Sequence, residues 1–386
     1  MIYFDNASTT KLSNKVLDIF NDVVENQYGN SSSKHFLGKE AYKLQEEGRL
    51  EIAKMLNCES SCIYFTSGAT EASNIIIQGY SKYLLQTKSP RNEILISPIE
   101  HPCVANTAKA MESLGFQVHF LPVNGYGEIC FDQLDSLLSS KTALVSVMSV
   151  NNEIGVHQDI NKLAKIVKSK SPETLFLTDV VQSVGKLPFT IDLSKVDSFF
   201  ISGHKFGAPK GIGLFYLNEG YRILPTIFGG GQESSYRPGT NNSIGVHLLK
   251  TALDDVLKDQ YISYQYVSNL NKKVTEELDN HKIIYRRIVP SDKSSPYILS
   301  IAILGHSADF LEAELSDIGI CVSTKSACSS QSHKQSRILN ALQIDPLVAN
   351  STLRLSFSRE NTQEEVVFFV RSLAKIIENS NAQNSV

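Results

Sequence analysis

No stretch of this chain approaches the ~20 consecutive apolar residues that a helical membrane span requires, so no membrane association is expected. Neither sign of charge dominates: 37 Lys and Arg stand against 40 Asp and Glu, a net charge of −3. That balance gives no electrostatic footing for direct nucleic-acid binding or for a membrane surface. The start, Met1-Ile2-Tyr3-Phe4-Asp5, lacks a basic leader and a long apolar stretch, which argues against a secretory signal. Cysteine is sparse, six in 386 residues, and scattered, so a reduced, cytoplasmic protein is expected. Cys58 and Cys62 have no second Cys/His pair nearby, so no metal site is expected. Cys103, Cys130 and Cys321 sit among apolar residues and read as core. Gly229-Gly230-Gly231 lacks the GxGxxG spacing and the strand-to-helix setting of a dinucleotide loop. Repeats and low-complexity inserts are absent from the sequence.

What is present is a globular composition, 42% hydrophobic, in a chain longer than most single domains. Strand-like apolar runs occupy 63–65, 93–97, 118–122, 143–149, 175–178, 198–202 and 213–217. They are continuous rather than alternating, which predicts strands covered on both faces. Helical stretches such as 132–138 and 160–167 lie between them. This α/β alternation implies a mainly parallel sheet in a large domain over 15–255. The pattern then changes. One long helix is expected over 243–278, then strands near 297–303 and 352–357 and a helix near 309–318. Residues 1–14 and 256–386 are read as a smaller α+β domain. Thr362-Gln363-Glu364-Glu365 has the form of a capping box, and the polar tail 379–386 is expected to lack order.

Two residues point to a cofactor. Lys205 closes Ser202-Gly203-His204-Lys205, between the apolar runs 197–201 and 211–215. Held there, burial and neighbouring cations would lower its proton affinity from ~10.4 and allow it to condense with an aldehyde. Locally the segment fits a solvated surface turn equally well. Asp179, at the end of Leu175-Phe176-Leu177-Thr178, tips the balance, although alone it also fits a helix cap. Pyridoxal phosphate needs both groups: an amine for its aldehyde, and a carboxylate that keeps its ring nitrogen protonated. Ala69-Thr70-Glu71 begins a helical stretch whose N–H groups and dipole suit the cofactor phosphate.

With those residues in place, seven segments resemble, in order and spacing, cysteine desulfurases of the NifS/IscS type. These are class V aminotransferase relatives with the pyridoxal-phosphate-dependent fold type I, whose large domain has a seven-stranded sheet. The segments are Thr66-Ser67-Gly68-Ala69-Thr70-Glu71-Ala72-Ser73-Asn74, Glu100-His101, Val150-Asn151-Asn152-Glu153-Ile154-Gly155, Asp179-Val180-Val181-Gln182-Ser183, Ser202-Gly203-His204-Lys205, Arg237-Pro238-Gly239-Thr240 and Ser326-Ala327-Cys328. The resemblance spans nearly the whole chain, from residues 3–10 to 353–358.

It implies a site. His101 stacks on the cofactor ring and moves protons. Ser202 and His204 contact the phosphate, and Thr240 reaches it from the second subunit of a homodimer. Gln182 and Asn152 lie near the phenolic oxygen, with Asn152 also toward the substrate carboxylate, which Arg354 binds. Arg354 among apolar residues is costly unless paired, so a structural salt bridge is the alternative there. Cys328, in a loop at about 323–334, would accept sulfur from L-cysteine as a persulfide, release alanine, and pass the sulfur to an acceptor protein. Lys325 and His333 would favour its thiolate. The loop length resembles the longer-loop group, which hands sulfur to partner proteins; iron–sulfur cluster assembly, tRNA thiolation and DNA phosphorothioation all use enzymes of this kind. Lys325 stands where the family usually has glycine, Lys334 and Gln335 where it has an acidic residue and proline, and Ser31 where it has proline. Two other readings stay open: another class V aminotransferase or lyase, including a selenocysteine lyase, and a sulfur-relay scaffold.

Overall fold

The computed structural model describes residues 1–188, 190–324 and 336–383. In chain order the strands are β1 (Ile2–Tyr3), β2 (Ile63–Thr66), β3 (Glu93–Ile96), β4 (Gln117–Phe120), β5 (Thr142–Ser146), β6 (Leu175–Asp179), β7 (Ser198–Ser202), β8 (Gly213–Leu217), β9 (Tyr285–Arg287), β10 (Ile298–Ile303), β11 (Ile320–Cys321) and β12 (Thr352–Ser356). The helices are α1 (Asn14–Asn26), α2 (Phe36–Met55), α3 (Ala69–Gln86), α4 (Pro102–Ala110), α5 (Phe131–Leu137), α6 (Ile160–Lys170), α7 (Ser243–Lys258), α8 (Gln260–Asn280), α9 (Ala308–Asp317), α10 (Arg337–Ala341), α11 (Pro346–Asn350) and α12 (Gln363–Gln383).

Seven strands form one sheet in the order β2-β8-β7-β6-β5-β3-β4. All neighbours are parallel except β8, which runs antiparallel to β2 and to β7. The continuous apolar runs follow from cover on both faces. Phe200 and Phe215 pack with Ile75 and Ile76 of α3, while the adjacent Phe199 and Leu214 pack with Ile52 of α2 and Leu249 of α7. Fully burying each such side chain contributes about 2–3 kcal/mol. The exception is β4, an edge strand in which Gln117, His119 and Phe120 are exposed, so cover on both faces fails there.

The second core gathers around the antiparallel sheet β12-β10-β9, with α8, α9 and α12 against it. The N-terminus joins this core. β1 pairs with β11, and Phe4 makes edge contacts with Phe357 and Phe369. The single helix expected over 243–278 is two. Asp259, at φ −112°, breaks it where the buried face changes partner, from Leu249 and Leu253 on the large-sheet core to Val267, Leu270 and Val274 on the second. The capping box forms: Glu365 N–H donates to Thr362 Oγ1 at 3.2 Å, and Thr362 N–H to a Glu365 carboxylate oxygen at 3.1 Å. The helix it starts runs to Gln383, through most of the tail expected to lack order. No helix among the described residues is long and apolar enough to cross a membrane.

Candidate active site

The parallel strands bring their C-terminal ends to one edge of the sheet, where open α/β folds place their ligands. Asp179 ends β6 and Ser202 ends β7. The turn after β7, Gly203–Lys205, then lifts Lys205 off the sheet. Glycine is needed at 203, since a Cβ would lie 2.8 Å from both Ala208 and Leu249. α3 starts at Ala69 with no side-chain cap, so its first-turn N–H groups are open to an anion.

These ends enclose a cleft of about 420 Å³ lined by Ala69, Thr70, His101, Asn152, Asp179, Gln182, Ser202, His204, Lys205 and Arg354, all expected from sequence. Thr240 does not line it. It lines an adjoining recess of about 150 Å³ that shares Ser67 and Gly211 with the cleft. Cys328 lies outside the described residues. The two asparagines separate cleanly. Asn151 is buried, donates to Ile99 O at 2.8 Å and accepts from the N–H groups of Glu153 and Ile154, whereas Asn152 faces the cleft.

Lys205 Nζ donates to the carbonyls of Ala7 at 2.8 Å and Ser8 at 2.6 Å. Gln182 Nε2 donates to the same Ala7 oxygen at 2.9 Å. The N-terminal segment therefore forms one wall of the site. Asp179 accepts from Val181 N–H at 2.8 Å. Burial raises its carboxyl to about 6, against the opposing effects of that hydrogen bond and of the Lys205 charge. Burial, then the charges of Lys205 and Arg337, pushes His101 down to about 4, so its imidazole is neutral at pH 7. Its Nδ1 accepts from Cys103 N–H at 3.2 Å, which fixes the ring. His204 is also lowered to about 4, by burial and then by Lys205, Lys210 and Lys186, and its Nδ1 lies 3.1 Å from Thr9 Oγ1.

Arg354 is 3% exposed. It donates to Asp5 Oδ1 at 2.6 Å, Ser8 Oγ at 2.8 Å and Asn152 O at 3.0 Å, while its buried Nε has no partner among the described residues. The salt bridge and the cleft-facing position coexist in one side chain.

Three features escaped the sequence. Cys103 belongs to the core as expected, yet it also lines the cleft, and burial pushes its thiol up to about 12, so it is a poor nucleophile. Cys130 and Cys321, read as core, are only half-buried. Arg337, at the start of α10, donates to the carbonyls of Pro98 and Glu100 and so fastens the turn that presents His101.

The donor set fits pyridoxal phosphate. A cleft of this size holds a ligand of that class. Its lining offers a helix N-terminus with Thr70, Ser202 and His204 for a phosphate, a desolvated carboxylate for a ring cation, and a lysine amine for an aldehyde.

A model of the aminotransferase class-V family matches residues 2–369. The chain is 36% identical to a NifS/IcsS protein homolog of Lactobacillus delbrueckii subsp. bulgaricus, over 97% of each chain. It is 33% identical to the cysteine desulfurase IscS of Dictyoglomus turgidum, over 98% of this chain and 94% of that one. Among solved structures, a NifS-like protein superposes with a TM-score of 0.91 at 34% identity, over 98% of this chain and 99% of the other.

Proposed function

The chain belongs to the class V aminotransferase family and is a pyridoxal-phosphate-dependent cysteine desulfurase of the NifS/IscS type, and on that premise we propose how its residues divide the work. The observation that supports this division most is the convergence of Lys205, Asp179, His101 and Arg354 on one cleft from four separate elements. The cofactor, when bound, supplies an electron sink that acidifies the substrate Cα proton. Lys205 holds it and is the base that takes that proton. The Asp179 carboxylate would keep the ring nitrogen protonated, neutral His101 would pack on the ring, Gln182 would donate an N–H to the phenolic oxygen, and Ala69, Thr70, Ser202 and His204 would hold the phosphate.

Arg354, with Asn152, orients the carboxylate of L-cysteine. The Cys328 thiolate then attacks the substrate sulfur. An S–S bond forms, the Cβ–S bond breaks, and the carbon side keeps the electron pair, takes a proton at Cβ, regains the Cα proton from Lys205 and leaves as alanine. The persulfide passes to an acceptor protein. Thr240 completes the site of a second copy in a homodimer. Exposed Phe36 and Tyr42 on α2, and Phe228 in the segment leading to Thr240, support such a face. The small α+β part, 1–14 with 256–386, carries the cysteine loop to the large part, 15–255. The test is Cys328→Ser. Alanine release from cysteine stops while the visible band of the bound cofactor stays. Retained desulfuration in that variant would refute the assignment.

A further inference from the structure

Lys186 is a buried cation with no part in the chemistry above. It is 8% exposed. It sits one turn beyond Gln182, on a segment that ends β6 and bends at Gly185, φ +70°. A side chain at 185 would bring Cβ within 2.4 Å of Val256 on α7, so glycine permits the close approach.

The placement creates a relay of hydrogen bonds. Lys186 Nζ donates to Gln182 Oε1 at 2.8 Å. Gln182 Nε2 donates to Ala7 O at 2.9 Å, and Lys205 Nζ donates to that same oxygen at 2.8 Å. With Oε1 engaged by Lys186 and one Nε2 proton by Ala7, the second Nε2 proton is left for the cleft that Gln182 lines. Lys186 itself lines a separate cavity of about 270 Å³ behind Lys205, which borders both spaces.

We propose that Lys186 is a positioning residue for the active site: it holds the Gln182 amide in the one orientation that aims an N–H at the bound ligand beside Lys205. This inference rests on the functional reading above. Lys205, on the turn after β7, and Arg354, on β12, are the charged groups whose fields reach Lys186. Lys11, Arg359, Glu360 and Glu365 line the cavity that it borders. Burial, then the charges of Lys205 and Arg354, lowers Lys186 to about 7, and it donates an N–H in either protonation state.

The test is the pH midpoint of the visible absorption change in full-length protein loaded with pyridoxal phosphate. Losing the aimed N–H favours the protonated form of the chromophore, so Lys186→Met moves the midpoint up by about one unit. Lys186→Arg, which keeps a donor, restores it. In a Gln182→Ala background the Lys186→Met shift vanishes, because the lysine acts through that amide. An unchanged midpoint in Lys186→Met overturns the proposal, as does a full shift that persists without Gln182. If the methionine variant does not fold, Lys186→Ala, which also removes the donor, provides the same comparison. A wild-type protein with no visible band would instead overturn the functional reading itself.

Discussion

Asp5 and Arg354, 349 positions apart in sequence, are joined by a 2.6 Å ion pair that ties the N-terminal segment to β12 in the second core. The pair leaves Arg354 rigid, buried and still able to donate from Nε. A guanidinium held this way is a preset carboxylate receptor.

Arg354→Lys therefore loses the fork while keeping the charge. The expected result is a KM for cysteine raised about 30-fold, the equivalent of about 2 kcal/mol, with the cofactor's visible band unchanged. Steady-state alanine release checks it. An unaltered KM would assign Arg354 to structure alone.

His101 is a second point where geometry and charge make a definite statement. Its lowered affinity for protons means that the folded state prefers neutral imidazole. The stability this contributes is present above the unfolded value of ~6.5 and is lost as pH falls toward about 4. A pH series of histidine ring NMR resonances in the cofactor-free protein should show His101 flat between pH 5.5 and 8. A midpoint near the ordinary histidine value would contradict the site's electrostatics.

The cap of α12 was readable from four residues. Thr362→Ala removes the Oγ1 acceptor of Glu365 N–H, and a loss of about 1 kcal/mol is expected, measured as a lower urea midpoint with an unchanged slope. No change would mean that the helix start is held by its packing rather than its cap.

That cap belongs to the part of the fold that local chemistry dictates. The same holds for the start of α3 at Ala69 and for the seven strands, where apolar runs such as Phe199-Phe200-Ile201 have no polar side to expose. Other features depend on partners distant in sequence. The break at Asp259 arises because one helix cannot face two cores at once, and nothing in residues 243–278 announces the second core. The exposure of β4 follows from its place at the sheet edge, which sequence order does not reveal. The site residues were legible as motif members, but the wall that Ala7 and Ser8 build against Lys205 was not, because backbone carbonyls carry no sequence signature. Lys186 was equally silent, since its partner is the neutral amide of Gln182.

The account's central claim is that the amine at position 205 carries the cofactor. Borohydride reduction of protein loaded with pyridoxal phosphate, followed by peptide mass spectrometry, tests it most directly. The account predicts a single phosphopyridoxyl label on Lys205. A label on the neighbouring buried amine Lys186, or no label on either lysine, would contradict it.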